Sequence, residues 1–230
     1  SLFVHNKIND REMSSMVAQV LLSLATFQKT FSMTHNDLHT NNIMWIRTDK
    51  KFLVYKFDNL YYKIPTYGKI YKIIDFGRAI YKFNGKTICS DSFDVKGDAA
   101  TQYNCEPYFN EKKPRLEPNP SFDLCRLGCA IYDFLVEDTE DEMKDLSEIE
   151  VIIIKWCRDD KNRNIMYKTN GQERYPEFKL YKMIARTVHN HIPSSVLRDK
   201  HFSKYIVAKK MAKKADGGKI MDIDSYPSYI

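Results

Sequence analysis

The sequence predicts an α+β domain that is mainly helical and carries β-hairpins near its N-terminal end. Three observations support this fold class. Apolar residues recur at three- and four-residue steps over residues 11–31, which is the helical period. Short runs rich in β-branched and aromatic residues fill residues 43–74, as in β-strands. A second strongly apolar helical pattern begins near Ser121 and is typical of a buried central helix.

Local signals justify each element in turn. Asn9 and Glu12 form a capping pair at the start of the first helix. The strand-like runs are residues 43–46, 52–55, 60–64 and 69–74, and the polar, Pro and Gly residues between them predict hairpins. Residues 78–120 show little periodicity and several Gly and Pro, which predicts a long irregular loop. An apolar stretch at 149–156 and a helix at 178–188 complete the pattern.

The charge distribution suggests a body and a tail. The formal net charge is +6, and residues 198–219 alone supply the same excess, with eight Lys or Arg against two Asp. We therefore predict a domain at residues 1–197 and a basic C-terminal tail at 198–230. Such a tail can contact nucleic acid, an acidic protein or a membrane surface. Because no RNA-recognition signature or zinc-finger spacing accompanies it, we favour a solvated face over nucleic-acid contact.

Composition also bears on location. The five cysteines are odd in number and include no Cys-x-x-Cys pair, which indicates reduced thiols and a cytoplasmic protein. No stretch approaches the roughly 18 apolar residues that a membrane span needs, and no signal peptide is visible.

Two short motifs carry the chemistry. Residues 35–42 read His-Asn-Asp-Leu-His-Thr-Asn-Asn, and Asp75, Phe76 and Gly77 follow at the end of a predicted strand. Transfer of a phosphoryl group needs a carboxylate near the acceptor hydroxyl and oxygen ligands for magnesium. Asp37 is the candidate base, and Asn42 and Asp75 are the candidate metal ligands.

These motifs resemble the H-x-D-x-x-x-x-N catalytic loop and the D-F-G motif of protein-kinase-like phosphotransferases. Residues 123–128, Asp-Leu-Cys-Arg-Leu-Gly, resemble a third segment of that family, in which the Asp holds the backbone of the catalytic loop. The resemblance covers residues 10–188 and implies the large C-terminal lobe of the kinase fold. It implies ATP and Mg²⁺ as cofactors and a protein hydroxyl as acceptor. It also implies that Met44 lies beneath the adenine, and that His35 and Phe76 stack in an internal column.

Within the family, the order His-x-Asp-Leu-His is similar to haspin-like kinases, and the Tyr-, Lys- and Asn-rich composition favours a kinase of a large DNA virus. A viral kinase would act in the host-cell cytoplasm or the virion. The chain also departs from the pattern. His39 stands where most Ser/Thr kinases carry a catalytic Lys, and its charge depends on pH. We also predict that Glu106 pairs with Arg163, by analogy with a structural ion pair of the family.

Three functions remain open on these residues. Only 36 residues precede Asp37, so the small lobe that covers ATP is absent from this sequence and is expected upstream. The first hypothesis is a Ser/Thr protein kinase. The second is a kinase for a small molecule, since a His two residues after the base also occurs in relatives of aminoglycoside and choline kinases. The third is a truncated kinase-like module that acts by binding alone.

Overall fold

The computed structural model describes residues 8–136, 143–215 and 219–230, which form a mixed α+β structure. The helices are α1 Asp10–Phe31, α2 Phe122–Leu135, α3 Glu148–Lys155, α4 Phe178–Thr187, α5 Pro193–Val196, α6 Lys200–Ser203 and α7 Lys209–Lys214. The strands are β1 Ile43–Arg47, β2 Phe52–Phe57, β3 Leu60–Pro65, β4 Lys69–Ile73, β5 Tyr81–Phe83, β6 Lys86–Ile88, β7 Ile206–Val207 and β8 Met221–Asp222. Within the described residues, no helix is long and apolar enough to cross a membrane.

Helix α1 begins and ends where the sequence predicts. The side chain of Asn9 accepts a hydrogen bond from the backbone N–H of Glu12, which caps the first turn. At the other end, Ser32 adopts the left-handed conformation and its N–H bonds the carbonyl of Gln28. The chain therefore turns sharply out of the helix and enters the segment at residues 35–42.

Buried polar side chains on α1 fix the position of the neighbouring strands. The amide oxygen of Gln19 accepts from the backbone N–H of Tyr71 in β4 at 3.0 Å. The hydroxyl of Ser15 donates to the carbonyl of Pro65, where β3 ends. Because buried polar groups are costly unless paired, these bonds favour one register of the strands on the helix.

Strands β1–β4 are divided between two separate sheets. Strands β1 and β4 make a two-stranded ribbon in which Ile43 faces Ile73. The β2–β3 hairpin is inserted between them in the sequence and belongs to a four-stranded sheet ordered β7-β3-β2-β8. The ribbon therefore runs directly from Asn42 to the segment that contains Asp75.

The described part of the C-terminal segment is packed against the rest of the molecule. Strand β7 pairs with β3, and β8 pairs with β2 in parallel. Lys29 of α1 donates to the carbonyls of Ile223 and Asp224. The boundary that charge suggested at residue 197 therefore does not coincide with a break in packing, because apolar residues between the lysines are buried. Residues 216–218 of that segment lie outside the described residues.

Helix α2 lies between the two main hydrophobic clusters. Leu124, Leu127 and Ile131 pack in a cluster with α1 and α3. Phe122, Cys125 and Tyr132, from other faces of the same helix, pack in a cluster with α4 and the loop before α2. The helix is therefore buried on most sides, as its apolar sequence predicts. All five cysteines are free thiols.

The segment at residues 78–120 is more ordered than its composition suggests. It contains the β5–β6 hairpin, in which Tyr81 faces Ile88, and a short 3₁₀ turn at Asp91–Phe93. The predicted pairing of Glu106 with Arg163 is wrong. Arg163 instead binds Asp159, with 2.7 Å between its Nη2 and Oδ2, because the two side chains lie four residues apart in one loop.

Asp224 should stabilise the fold more than its neighbour Asp222. Its carboxylate accepts the backbone N–H groups of Asp58 and Asn59 in the β2–β3 turn, at 2.7 and 3.0 Å. We expect Asp224→Ala to lower the free energy of unfolding by about 1–2 kcal/mol at pH 7. Asp222→Ala, the matched control, removes only an exposed ion pair with Lys56 and should cost less than about 1 kcal/mol.

The pH dependence of this difference has a definite sign. Burial raises the pKa of Asp224, but the two N–H groups and Lys56 outweigh it, so its pKa lies below the usual 3.8. Its stabilising contribution is therefore complete above about pH 4 and is lost as the pH falls through the folded-state pKa. Urea unfolding at pH 7 and near pH 3 should show the two variants converging at the lower pH. Equal stabilities at pH 7 would contradict this role.

Candidate active site

The carboxylate of Asp123 holds the backbone of the segment at residues 35–42. Its Oδ2 accepts the backbone N–H of His35 at 2.9 Å, and its Oδ1 accepts that of Asn36 at 3.0 Å. Asp123 is completely buried at the start of α2. Burial raises the pKa of this carboxyl, while nearby His35 and the two N–H groups act in the opposite direction. This is the backbone-holding role that the resemblance implied for Asp123.

Asn36 shapes the same segment. Its φ is 65°, a left-handed conformation that Asn adopts more readily than most residues. Its side-chain amide donates to the carbonyls of Thr34 and Arg78, and its own carbonyl accepts from Gln102. Asn36 is therefore a buried structural residue, and the next residue, Asp37, is partly exposed.

Asp37 lies beside Tyr181 and Arg78, which are distant from it in the sequence, and beside the neighbouring His39. Its Oδ1 accepts a hydrogen bond from the hydroxyl of Tyr181 on α4 at 3.0 Å. Its Oδ2 lies 3.5 Å from Nη1 of Arg78 and 3.9 Å from Nε2 of His39. The side chain of Asp37 keeps 17% of its surface exposed, so a substrate group can reach it.

Asn42 and Asp75 stand at one end of the β1–β4 ribbon. The amide Nδ2 of Asn42 donates to the backbone carbonyl of Asp37 at 3.0 Å, which leaves its Oδ1 available. The backbone carbonyl of Asn42 accepts the N–H of Ile74 at 3.0 Å, so Asp75 is the next residue along that strand. Asp75 is exposed and has a φ of 61°. The predicted metal ligands therefore lie at adjoining positions.

This donor set suits a cation that also binds substrate. Amide and carboxylate oxygens are the ligands that Mg²⁺ prefers, and Mg²⁺ commonly completes its shell with water and phosphate oxygens. Among the described residues there is no group of three or more His, Cys, Asp or Glu side chains placed to hold a metal by themselves. Asn42 and Asp75 therefore supply two oxygen-bearing side chains of the kind that Mg²⁺ prefers.

His39 lies close to Asp37 and Asn42, and its pKa is lower than that of a free histidine. Burial lowers its pKa, with a further lowering from Arg126, and both Asp37 and Asp75 oppose this by raising it. The net direction is downward from 6.5. Nε2 of His39 lies 3.2 Å from the amide nitrogen of Asn42. The ring therefore offers a hydrogen-bonding group at neutral pH rather than the fixed charge of a lysine.

The remaining predicted residues line the edge of the site. The rings of His35 and Phe76 are 5.2 Å apart, and Phe27 of α1 meets the other side of Phe76 at 5.4 Å. Phe76 is nevertheless 40% exposed and Met44 is 53% exposed, on a face of the ribbon that also carries Ile46. Gly77 donates its N–H to Oδ1 of Asp75 at 3.4 Å, which ties the Asp-Phe-Gly turn together.

Sequence analysis missed three residues around Asp37. Arg78 directly follows the Asp-Phe-Gly motif, so its closeness to the site could have been inferred from position. Tyr181 carried no such signal, because it looked like an ordinary member of an amphipathic helix, and Arg126 lies in the segment at residues 123–128 but was assigned no role there. The hydroxyl of Tyr181 accepts from Nε of Arg126 at 2.9 Å.

Comparison with known proteins gives a coarse answer. Over 83 residues, 34% of this chain, the sequence is 40% identical to a Dictyostelium discoideum protein named as a "probable serine/threonine-protein kinase". The chain is kinase-like over that part. It spans only 7% of the length of that protein. No family model matches the chain.

Removing Asp123 should destabilise the site more than removing a surface acid from the same helix. Asp123→Ala leaves the N–H groups of His35 and Asn36 buried without acceptors, which we expect to cost about 2–4 kcal/mol of unfolding free energy. Hydrogen exchange at these two amides should accelerate. Asp133→Ala, the control, removes only an exposed bond from Tyr167 and should cost under about 1 kcal/mol. Equal effects of the two variants would show that Asp123 does not hold the loop.

Proposed function

We propose that this chain carries the phosphoryl-transfer half of a Ser/Thr protein kinase. The observation that supports it most is the joint position of Asp37, Asn42 and Asp75. A buried carboxylate holds the loop that presents Asp37, and Asn42 and Asp75 adjoin at the end of one ribbon. A scaffold that only binds a partner has no physical need for a base and two oxygen ligands in this arrangement.

In this proposal, the oxygen of the acceptor hydroxyl bonds to the γ-phosphorus of ATP while Asp37 accepts the proton of that hydroxyl. The bond between that phosphorus and the bridging oxygen of ADP breaks, so the products are ADP and a phosphate ester. Asn42 and Asp75 would hold Mg²⁺, which neutralises charge on the phosphates. His39, close to both acids, would donate a hydrogen bond towards the transferred group.

The exposed apolar face of the β1–β4 ribbon is the surface that we propose a ligand or another domain covers in the active protein. Met44 and Ile46 of β1 are each about half exposed, and Ile74 beyond β4 is 39% exposed. Apolar exposure of this extent on one face is typical of a surface that binds a ligand or another domain. We propose that adenine and the small lobe of the kinase lie here, with Met44 beneath the adenine.

We also retain a finer assignment within the class. The haspin-like resemblance gains support from the β2–β3 hairpin inserted between β1 and β4, which enlarges the strand region before Asp75. A large DNA virus as the source, and host-cell cytoplasm or virion as the location, rest on composition. The second candidate function, a small-molecule kinase, is favoured by His39 at the position of the usual lysine.

Activity assays with Asp37 variants test the proposal. We expect the protein that carries this chain, purified with its whole natural sequence, to transfer phosphate from MgATP to Ser or Thr peptides. Asp37→Asn should reduce the rate about 100- to 10,000-fold, because general-base catalysis has this magnitude. Asp75→Asn should raise the Mg²⁺ concentration needed for half-maximal rate, since it removes a charged ligand.

Controls separate the alternatives. Asp133→Asn changes a surface acid on α2 and should leave the rate unchanged. Transfer to aminoglycosides or choline but not to peptides would favour the small-molecule kinase. If the wild-type protein neither transfers phosphate nor binds MgATP, the enzyme interpretation fails.

A further inference from the structure

A hydrogen-bonded relay reaches the proposed base from another part of the chain. Nε of Arg126 lies 2.9 Å from the hydroxyl of Tyr181, and that hydroxyl lies 3.0 Å from Oδ1 of Asp37. Tyr181 is on α4, separated from Asp37 by 144 positions in the sequence. Tyr181 belongs to none of the motifs found in the sequence, and Arg126 lies in the segment at residues 123–128 without a role assigned to it there.

Donor and acceptor chemistry fixes the direction of this relay. An arginine side chain has only donors, so the Tyr181 hydroxyl must accept from Arg126. Its single proton is then directed at Asp37, whose ionised carboxylate only accepts. Burial raises the pKa of Tyr181, so the hydroxyl keeps that proton across the neutral range. The order is therefore Arg126 to Tyr181 to Asp37.

The relay is rigidly supported. The Tyr181 ring packs 5.9 Å from Phe122 and 5.5 Å from Phe178, measured between ring centroids. The guanidinium of Arg126 lies over the same ring at 5.1 Å. Arg126 is three residues after Asp123 on α2, so one helix supports both the backbone of the loop and, through Tyr181, the side chain of its acid.

The two oxygens of Asp37 are used differently. Oδ1 is bonded to Tyr181, whereas Oδ2 has Arg78 at 3.5 Å and His39 at 3.9 Å, both beyond ordinary hydrogen-bond distance. In the part of the chain that the structure describes, Oδ2 has no hydrogen-bond donor. Oδ2 is therefore the oxygen left to accept a proton from a substrate.

We propose that Tyr181 and Arg126 are positioning residues for phosphoryl transfer. Tyr181 holds Oδ1 of Asp37 so that Oδ2 points at the acceptor hydroxyl, and Arg126 holds Tyr181. This inference rests on the proposed function, because it assigns a role towards the base of that reaction. A competing interpretation is that the Tyr181 hydroxyl occupies the place of the acceptor. The fixed ring and the unbonded Oδ2 favour positioning instead.

Tyr181→Phe tests the proposal because it removes only the hydroxyl. We expect kcat to fall about 10- to 100-fold, the range for losing one hydrogen bond to a charged group. The KM for ATP should stay unchanged. A purely structural role would not lower kcat while leaving this KM unchanged.

A matched control and a second variant accompany it. Tyr167→Phe removes a similar bond, from the Tyr167 hydroxyl to Asp133 at 2.8 Å, on the surface and away from Asp37. It should leave kcat and the KM for ATP unchanged. Arg126→Leu should lower kcat, and in the Tyr181→Phe background it should cost nothing further, because both residues act through one bond.

An independent measurement reports the contact without activity. In the whole protein labelled with ¹³Cζ-tyrosine, the resonance lost in Tyr181→Phe should shift when Asp37→Asn is introduced. An unmoved resonance would overturn the inference, since the hydroxyl would not then sense Asp37.

The kinetic outcomes are equally distinct. If Asp37→Asn is inactive but Tyr181→Phe has the wild-type kcat, the proposed function stands and the positioning role is overturned. A faster Tyr181→Phe enzyme, or phosphate found on Tyr181 by mass spectrometry, would show that Tyr181 occupies the acceptor place and would overturn positioning as well. If the wild-type protein transfers no phosphate, the proposed function fails, and the positioning role with it.

Discussion

Two backbone N–H groups donate hydrogen bonds to one buried carboxylate, and the candidate site depends on that arrangement. Asp123 is completely buried and accepts from both His35 and Asn36, so the start of α2 fixes the turn before Asp37. A buried acid is costly unless its oxygens are bonded, which makes any other conformation of this loop unfavourable. The left-handed φ of Asn36 is one consequence, and the outward direction of Asp37 is another.

The ribbon supplies the second half of the site by a different means. Gln19 of α1 bonds the backbone of β4 at Tyr71, and the antiparallel register with β1 then brings Asn42 beside Ile74. Asp75 follows directly. Helix α1 thus fixes the position of β4, the pairing of β4 with β1 fixes the positions of Asn42 and Asp75, and Asp123 fixes the loop that carries the candidate base, Asp37. Hydrogen bonds to the backbone, which are directional, hold these residues in position. Apolar packing alone would tolerate small displacements.

Local patterns and long-range contacts were not equally predictable. Periodicity located α1 and α2, and motif spacing located Asp37, Asn42, Asp75 and Asp123, because these signals lie within a few residues of each other. Charge counting grouped residues 198–230 as a basic tail, although Ala212 and Ile223 within it are buried while the lysines of α7 are exposed. Glu106 and Arg163 were paired by analogy, although nothing local distinguished Arg163 from other cations. Tyr181 lay beyond reach because its partner is 144 positions away.

The electrostatics around Asp37 give the departures from the kinase pattern a common explanation. His39 replaces a fixed charge, and its lowered pKa makes it neutral at pH 7, so the loop itself brings no cation to the base. Two arginines compensate from outside the loop. Arg78 lies between Oδ2 of Asp37 and Asp98, and Arg126 acts through the Tyr181 hydroxyl. The Arg126 guanidinium donates to the Tyr181 hydroxyl rather than to the carboxylate of Asp37 itself. Arg126 therefore orients Asp37 through a neutral hydroxyl group, whereas Arg78 faces the other oxygen of Asp37 directly at 3.5 Å.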